Sequence, residues 1–112
     1  MDQQKFDVAL TRWGPDYADP QTYLDLFEST AIDYNNGRYN SAEYDQLIKD
    51  IHTLTDSQER WNACLQAEEV LLGDNAIIPV YQTGTAMMIK TTVKGIEFHS
   101  AGVDSYRHVT KN

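Results

Sequence analysis

The sequence holds one cysteine, Cys64, so it can close no internal disulfide and offers no thiolate cluster to a metal. Cys64 falls among apolar residues at helical spacing, where a buried, inert thiol is expected rather than a nucleophile. Basic side chains are few: nine Lys and Arg stand against 17 Asp and Glu, for a formal charge of -8. With no local Lys/Arg cluster, such a field repels phosphate backbones and gains nothing from anionic lipid, so no nucleic acid partner is expected. No apolar run reaches the ~18 residues that cross a bilayer. His52, His99 and His108 lack the H-x-x-x-H or H-x-H spacing that gathers a metal, so no metal and no cofactor is expected. The phosphate loop, the G-x-S-x-G elbow and the G-x-G-x-x-G turn are all missing. Asp16 and Asp19 are close enough to imagine as an acid–base pair, but Asp19 is better explained as a helix cap. The chain is therefore not read as an enzyme. Internal repeats and low-complexity tracts are also absent.

What is present is ordinary globular composition, 41% hydrophobic and 23% charged in 112 residues, which allows one domain at most. Seven tyrosines and two tryptophans are generous for this length and suit ligand clefts as well as cores. Phe6, Val8 and Leu10 alternate with polar or small residues, the period of a half-buried strand. Trp13-Gly14-Pro15-Asp16-Tyr17 ends it in a shaped loop. Asp19-Pro20 then predicts a helix start, with Tyr23, Leu24 and Phe27 carrying the helix to about Ala31. A turn-rich segment from Tyr34 to Tyr39 centres on Asn36-Gly37.

Asn40 with Glu43 predicts a capping box, opening a helix with Tyr44, Leu47, Ile48, Ile51 and Leu54 on one face. Thr55 or Asp56 caps a third helix, with Trp61, Cys64, Leu65 and Leu72 as its apolar stripe and Gly73 as its end. Short strands are expected at Ile77 to Tyr81 and Thr85 to Lys90, and a turn at Val93 to Ile96. The last residues, with Ile96, Phe98, Tyr106 and Val109, are too sparse in apolar side chains to form their own core.

The candidate functional segment runs from Arg12 to Pro20. It sets an aromatic face at Trp13, accessible backbone at Gly14 and a carboxylate at Asp16 within a few residues. That combination suits a ligand with an ammonium group and an extended peptide backbone. A loop with a core Trp and a capping Asp remains the competing account.

Trp13-Gly14-Pro15-Asp16-Tyr17-Ala18-Asp19-Pro20 resembles the W-x-x-D-Y-x-D-P block of the oligopeptide- and dipeptide-binding proteins that serve ABC importers, extracellular solute-binding proteins of family 5. The similarity continues through Asn40 to Leu47, then Arg60, Ala67, Glu68 and Leu71, then Ile78-Pro79-Val80-Tyr81 and Val93-Lys94-Gly95. The resemblance implies an α/β fold, part of the C-terminal lobe of a type II periplasmic-binding-protein architecture, with about three helices plus short strands. Residues 1–84 would belong to that lobe and residues 85–112 would return toward an N-terminal lobe that the chain lacks.

The resemblance further implies capture of peptides outside the membrane for delivery to the membrane subunits of an ABC importer. It places Asp16 on the peptide's α-amino group and Trp13 in a side-chain pocket, with Arg12, Gly14, Tyr81 and Thr83 as further peptide-binding positions. Pro15 departs from the family's usual residue and removes one N–H donor. The wording is closest to Gram-positive lipoproteins, implying a lipid-anchored parent on the outer cell face, or else a periplasmic one. The resemblance covers only the last part of the much longer family members, so the chain is expected to be a C-terminal fragment. That would account for the lack of a secretion signal and a lipid-attachment cysteine at Met1 to Lys5. Nickel, sugar or pheromone-peptide ligands within the superfamily, and a stand-alone helical interaction module, are the alternatives.

Overall fold

The computed structural model describes residues 5–112. Its core is a pair of helices, α2 (Ala42–Thr53) and α3 (Ser57–Gly73), packed against each other. A short helix α1 (Gln21–Leu24), continued by a 3-10 turn at Asp25–Phe27, closes one side. The C-terminal region forms a two-stranded antiparallel ladder of β1 (Val93–Lys94) and β2 (Thr110–Lys111), with Val93 opposite Lys111 and Lys94 opposite Thr110. Gly95 permits this close return. Its φ is +80°, and a Cβ there would lie 2.1 Å from the His108 carbonyl oxygen.

The α2 stripe is buried as its spacing predicts: Tyr44, Ile48 and Ile51 are essentially inaccessible. Tyr44 also donates its hydroxyl to the Leu24 carbonyl at 2.7 Å, which satisfies a buried polar group and ties α1 to α2. The cap falls one residue later than expected. Ser41 is the N-cap and its Oγ accepts from the Tyr44 N–H, so Asn40 and Glu43 do not form the anticipated box. Asp56, one of the two candidates, caps α3 by accepting from both Gln58 and Glu59, and Gly73 is its last residue.

The α3 stripe needs correcting. Of Trp61, Cys64, Leu65 and Leu72, only Cys64 is buried; its buried companions are Ala63, Ala67 and Leu71. Small side chains let α2 and α3 approach closely, so the seam follows the alanines rather than the bulkiest residues. Burial pushes the Cys64 thiol up, as expected for an inert core cysteine.

The first helix stops at Phe27, short of Ala31. Glu28 turns extended, and Ser29 is held by Asp45, which accepts from both its N–H and its hydroxyl. In the Tyr34 to Tyr39 turn the buried Asn35 organises the backbone, accepting from the Tyr39 N–H and donating to the Tyr39 and Glu28 carbonyls. The left-handed residue there is Arg38 (φ 52°), not Gly37.

Three expected strands do not form. Residues 6–10, 77–81 and 85–90 pair with nothing among the described residues, and Val8, Leu10, Ile78 and Met88 are largely exposed. Alternation supplies a strand's faces but not its ladder, and no neighbouring edge reaches these segments. Val93–Lys94, expected as a turn, is instead β1, with the turn just before it. The Cα radius of gyration is 18.0 Å, against about 13 Å for a compact domain of this length. The helical unit is thus a folded core from which apolar segments extend uncovered.

Candidate ligand loop

The loop before α1 is fixed from several directions. Pro20 stands at the N-cap position of α1, and Asp19 Oδ1 just before it accepts from the Gln21 N–H at 2.9 Å, so a carboxylate satisfies the first free N–H of the helix. The same carboxylate receives both terminal nitrogens of Arg60, at 2.8 and 2.9 Å. Arg60 Nε meanwhile donates to the Ile51 carbonyl at the end of α2, and Nη2 also reaches Gln21 Oε1. One guanidinium therefore joins the loop, α2 and α3. Hydrogen bonding from Arg60 holds the Asp19 carboxyl below its ordinary range.

A second polar cluster continues this one. Gln21 Nε2 donates to Asp25 Oδ2 and meets His52 Nδ1, while His52 Nε2 lies 3.2 Å from Asp25 Oδ1. His52 is exposed, and its ring bridges Gln21 and Asp25.

Asp16 sits where this scaffold presents it. Its backbone N–H donates to the buried Thr22 Oγ1 at 3.1 Å, anchoring it to α1. Its side chain is exposed and, among the described residues, has no hydrogen bond or ion pair. Partial burial, then the Asp25, Asp19 and Asp16 carboxylates, push the neighbouring Tyr17 hydroxyl up, a sign that this edge of the loop is negative.

Trp13 is partly exposed and meets Tyr34 edge-to-face, with ring centroids 5.3 Å apart. Tyr34 is a site neighbour that the sequence does not single out, because it lies in a separate turn. Gly14 is open: a Cβ built there meets nothing within 4 Å. Arg12 is exposed. Tyr81 and Thr83 lie exposed in the extended segment, and no hydrogen bond, ion pair or aromatic contact links them to Trp13 or Asp16 among the described residues. The structure also adds a contact the sequence does not reveal: the Gly102 N–H donates to the Pro15 carbonyl at 3.0 Å.

No family model matches the sequence. Individual relatives do. The dipeptide-binding protein DppE of Bacillus subtilis is 36% identical over 108 residues, 96% of this chain and 20% of its own length. The homologues of this chain are dipeptide- and oligopeptide-binding proteins of ABC transporters, matched along most of its length. A dipeptide-binding protein of Lactococcus lactis subsp. cremoris is 37% identical over 102 residues, covering 88% of this chain and 18% of the relative. The periplasmic oligopeptide-binding protein OppA of Salmonella typhimurium is 36% identical over 93 residues, covering 83% and 17%.

The chain thus spans about a fifth of the length of the relatives it matches. A crystal structure of a peptide ABC transporter's peptide-binding protein superposes with a TM-score of 0.53 at 45% identity, over 57% of this chain and 29% of that one. The mixed α/β arrangement therefore corresponds to a piece of the family's peptide-binding-protein fold.

Proposed function

We propose that this chain supplies the amino-terminus-holding loop of a peptide-capturing protein that delivers its ligand to an ABC importer. Asp16 is the residue that holds the peptide's α-amino group. The observation that carries this reading is a carboxylate left exposed and unpaired among the described residues, on a backbone pinned to Thr22. With its backbone already pinned, only the short Asp16 side chain has to be ordered when its carboxylate meets a ligand ammonium. Trp13, steadied by Tyr34, offers a ring face to a ligand side chain, and Gly14 offers unobstructed backbone to an extended peptide.

Arg12, Tyr81 and Thr83 complete the proposed ligand surface when the rest of the binding protein brings the extended segments to the cleft. The exposed apolar residues Val8, Leu10, Ile78 and Met88 fit this account, since strands without a ladder need one from elsewhere. In this account residues 1–84 belong to the C-terminal lobe and residues 85–112 lead toward the opposite lobe, which is the chain's first partner. The importer's membrane subunits are its second, and the work is done outside the membrane, in the periplasm or at an anchored cell surface. The role is binding, without catalysis.

The test is a chimera in which this chain replaces the matching segment of the Bacillus subtilis dipeptide-binding protein. Calorimetric titration with short peptides should give binding that weakens about tenfold or more when the peptide amino terminus is acetylated. A folded chimera that binds free and acetylated peptides equally would overturn the assignment.

A further inference from the structure

We propose that Gly102 is a positioning residue for the ligand loop, so that the C-terminal segment sets how Asp16 is presented. The proposal rests on the peptide-binding reading of Asp16 and adds a determinant from the far end of the chain. Gly102 donates its N–H to the Pro15 carbonyl at 3.0 Å. The next backbone donor along, Asp16 N–H, is taken by Thr22 Oγ1 at 3.1 Å, and Pro15 has no N–H to give. The peptide unit between Pro15 and Asp16 is therefore held at both its polar atoms, one by α1 and one by the C-terminal loop. An amide plane held at both ends fixes the N–Cα bond of Asp16 and so narrows the directions in which its side chain can leave the backbone.

The C-terminal loop is itself framed. Glu97 and Ser105 exchange two backbone hydrogen bonds at 3.0 and 2.9 Å, and Asp104 Oδ1 accepts from the His99 N–H at 3.1 Å. Gly102 lies within this frame at φ +80°, a left-handed conformation that glycine adopts without penalty. A Cβ at Gly102 would stand 3.2 Å from the Asp16 carbonyl oxygen, tight enough to require movement of the ligand loop. Both the backbone conformation and the close approach thus ask for glycine, and both act on the two residues that present the carboxylate. The Pro15 carbonyl and the Asp16 N–H are thus used internally, whereas Gly14, like Arg12 and Trp13 before it, has neither its N–H nor its carbonyl engaged among the described residues.

Two variants separate a positioning role from a merely structural one. Gly102→Ala adds the Cβ and strains the left-handed backbone; Gly102→Asn adds the same Cβ but tolerates that backbone better. On the 112-residue chain, amide NMR of Gly102→Ala should shift the Asp16 amide and the Trp13 indole resonances. The helical circular dichroism should stay unchanged, because the α2 and α3 core lies elsewhere. In the chimera, Gly102→Ala should weaken free peptide about three- to tenfold, on the scale of one lost hydrogen bond. It should also shrink the preference for a free over an acetylated amino terminus, with Gly102→Asn intermediate. An unchanged preference with unmoved Asp16 resonances overturns the proposal. If the parent chimera shows no preference at all, the Asp16 reading falls and this proposal falls with it. If the parent preference persists in Gly102→Ala, only the positioning role is lost.

Discussion

Arg60 grips Asp19 with both terminal nitrogens, at 2.8 and 2.9 Å, and thereby locks the start of α1 to the first turn of α3. The carboxylate that caps α1 is thus also the anchor of the loop that carries Asp16. Asp19 has its carboxyl lowered in the folded state, chiefly by hydrogen bonding from Arg60. Its stabilising contribution is therefore complete above the unfolded value near 4 and is lost as pH falls through the folded value. Asp19→Asn should cost about 1 kcal/mol at neutral pH, the upper range for a partly exposed pair, and less as the pH drops below about 4. Urea unfolding at pH 7 and pH 3 checks this: the gap between wild type and variant should narrow at the lower pH.

The position of the α2 cap is decided by two alanine variants. Ser41→Ala removes the oxygen that accepts from Tyr44 N–H, at a cost of about 1 kcal/mol. Asn40→Ala should be near neutral, because Asn40 caps nothing. Equal losses in thermal unfolding would restore the box that the sequence suggests.

The α3 seam makes a similar contrast. Ala67 is fully buried between the helices, so Ala67→Leu should overpack the crossing, at about 1–3 kcal/mol. Leu65→Ala, on a side chain 43% exposed in this chain, should stay within about 0.5 kcal/mol. Denaturant midpoints of the two variants provide the measurement.

The helical part of the fold is legible in the sequence because its information is local. Tyr44, Ile48 and Ile51 recur at the helical period, Asp56 and Gly73 mark the limits of α3, and Asp19-Pro20 marks the start of α1. What the sequence does not disclose depends on partners in space. Alanines outcompete Trp61 and Leu65 for the seam because helix proximity, not side-chain size, decides it. Phe6 to Leu10 shows a strand's alternation without the neighbour that would make it one. Within the ligand loop, the Trp13 to Asp16 block and the Asp19 cap are readable in order, whereas Tyr34, Arg60 and Gly102 reach it from remote segments. Only Arg60 carries a signal, as the one cation in α3.

The central claim is that the Asp16 carboxylate meets a ligand ammonium, and a double cycle in the chimera tests it most directly. Asp16→Asn keeps the side chain's shape and removes its charge. It should weaken a free peptide by about 1.5–3 kcal/mol, roughly ten- to a hundredfold. Acetylating the peptide should cost a similar amount against wild type and little more against the variant, since both changes remove one interaction. A non-additive cycle of that size is the predicted result. An Asp16→Asn protein that keeps the full preference for a free amino terminus would contradict the account, even if its overall affinity fell.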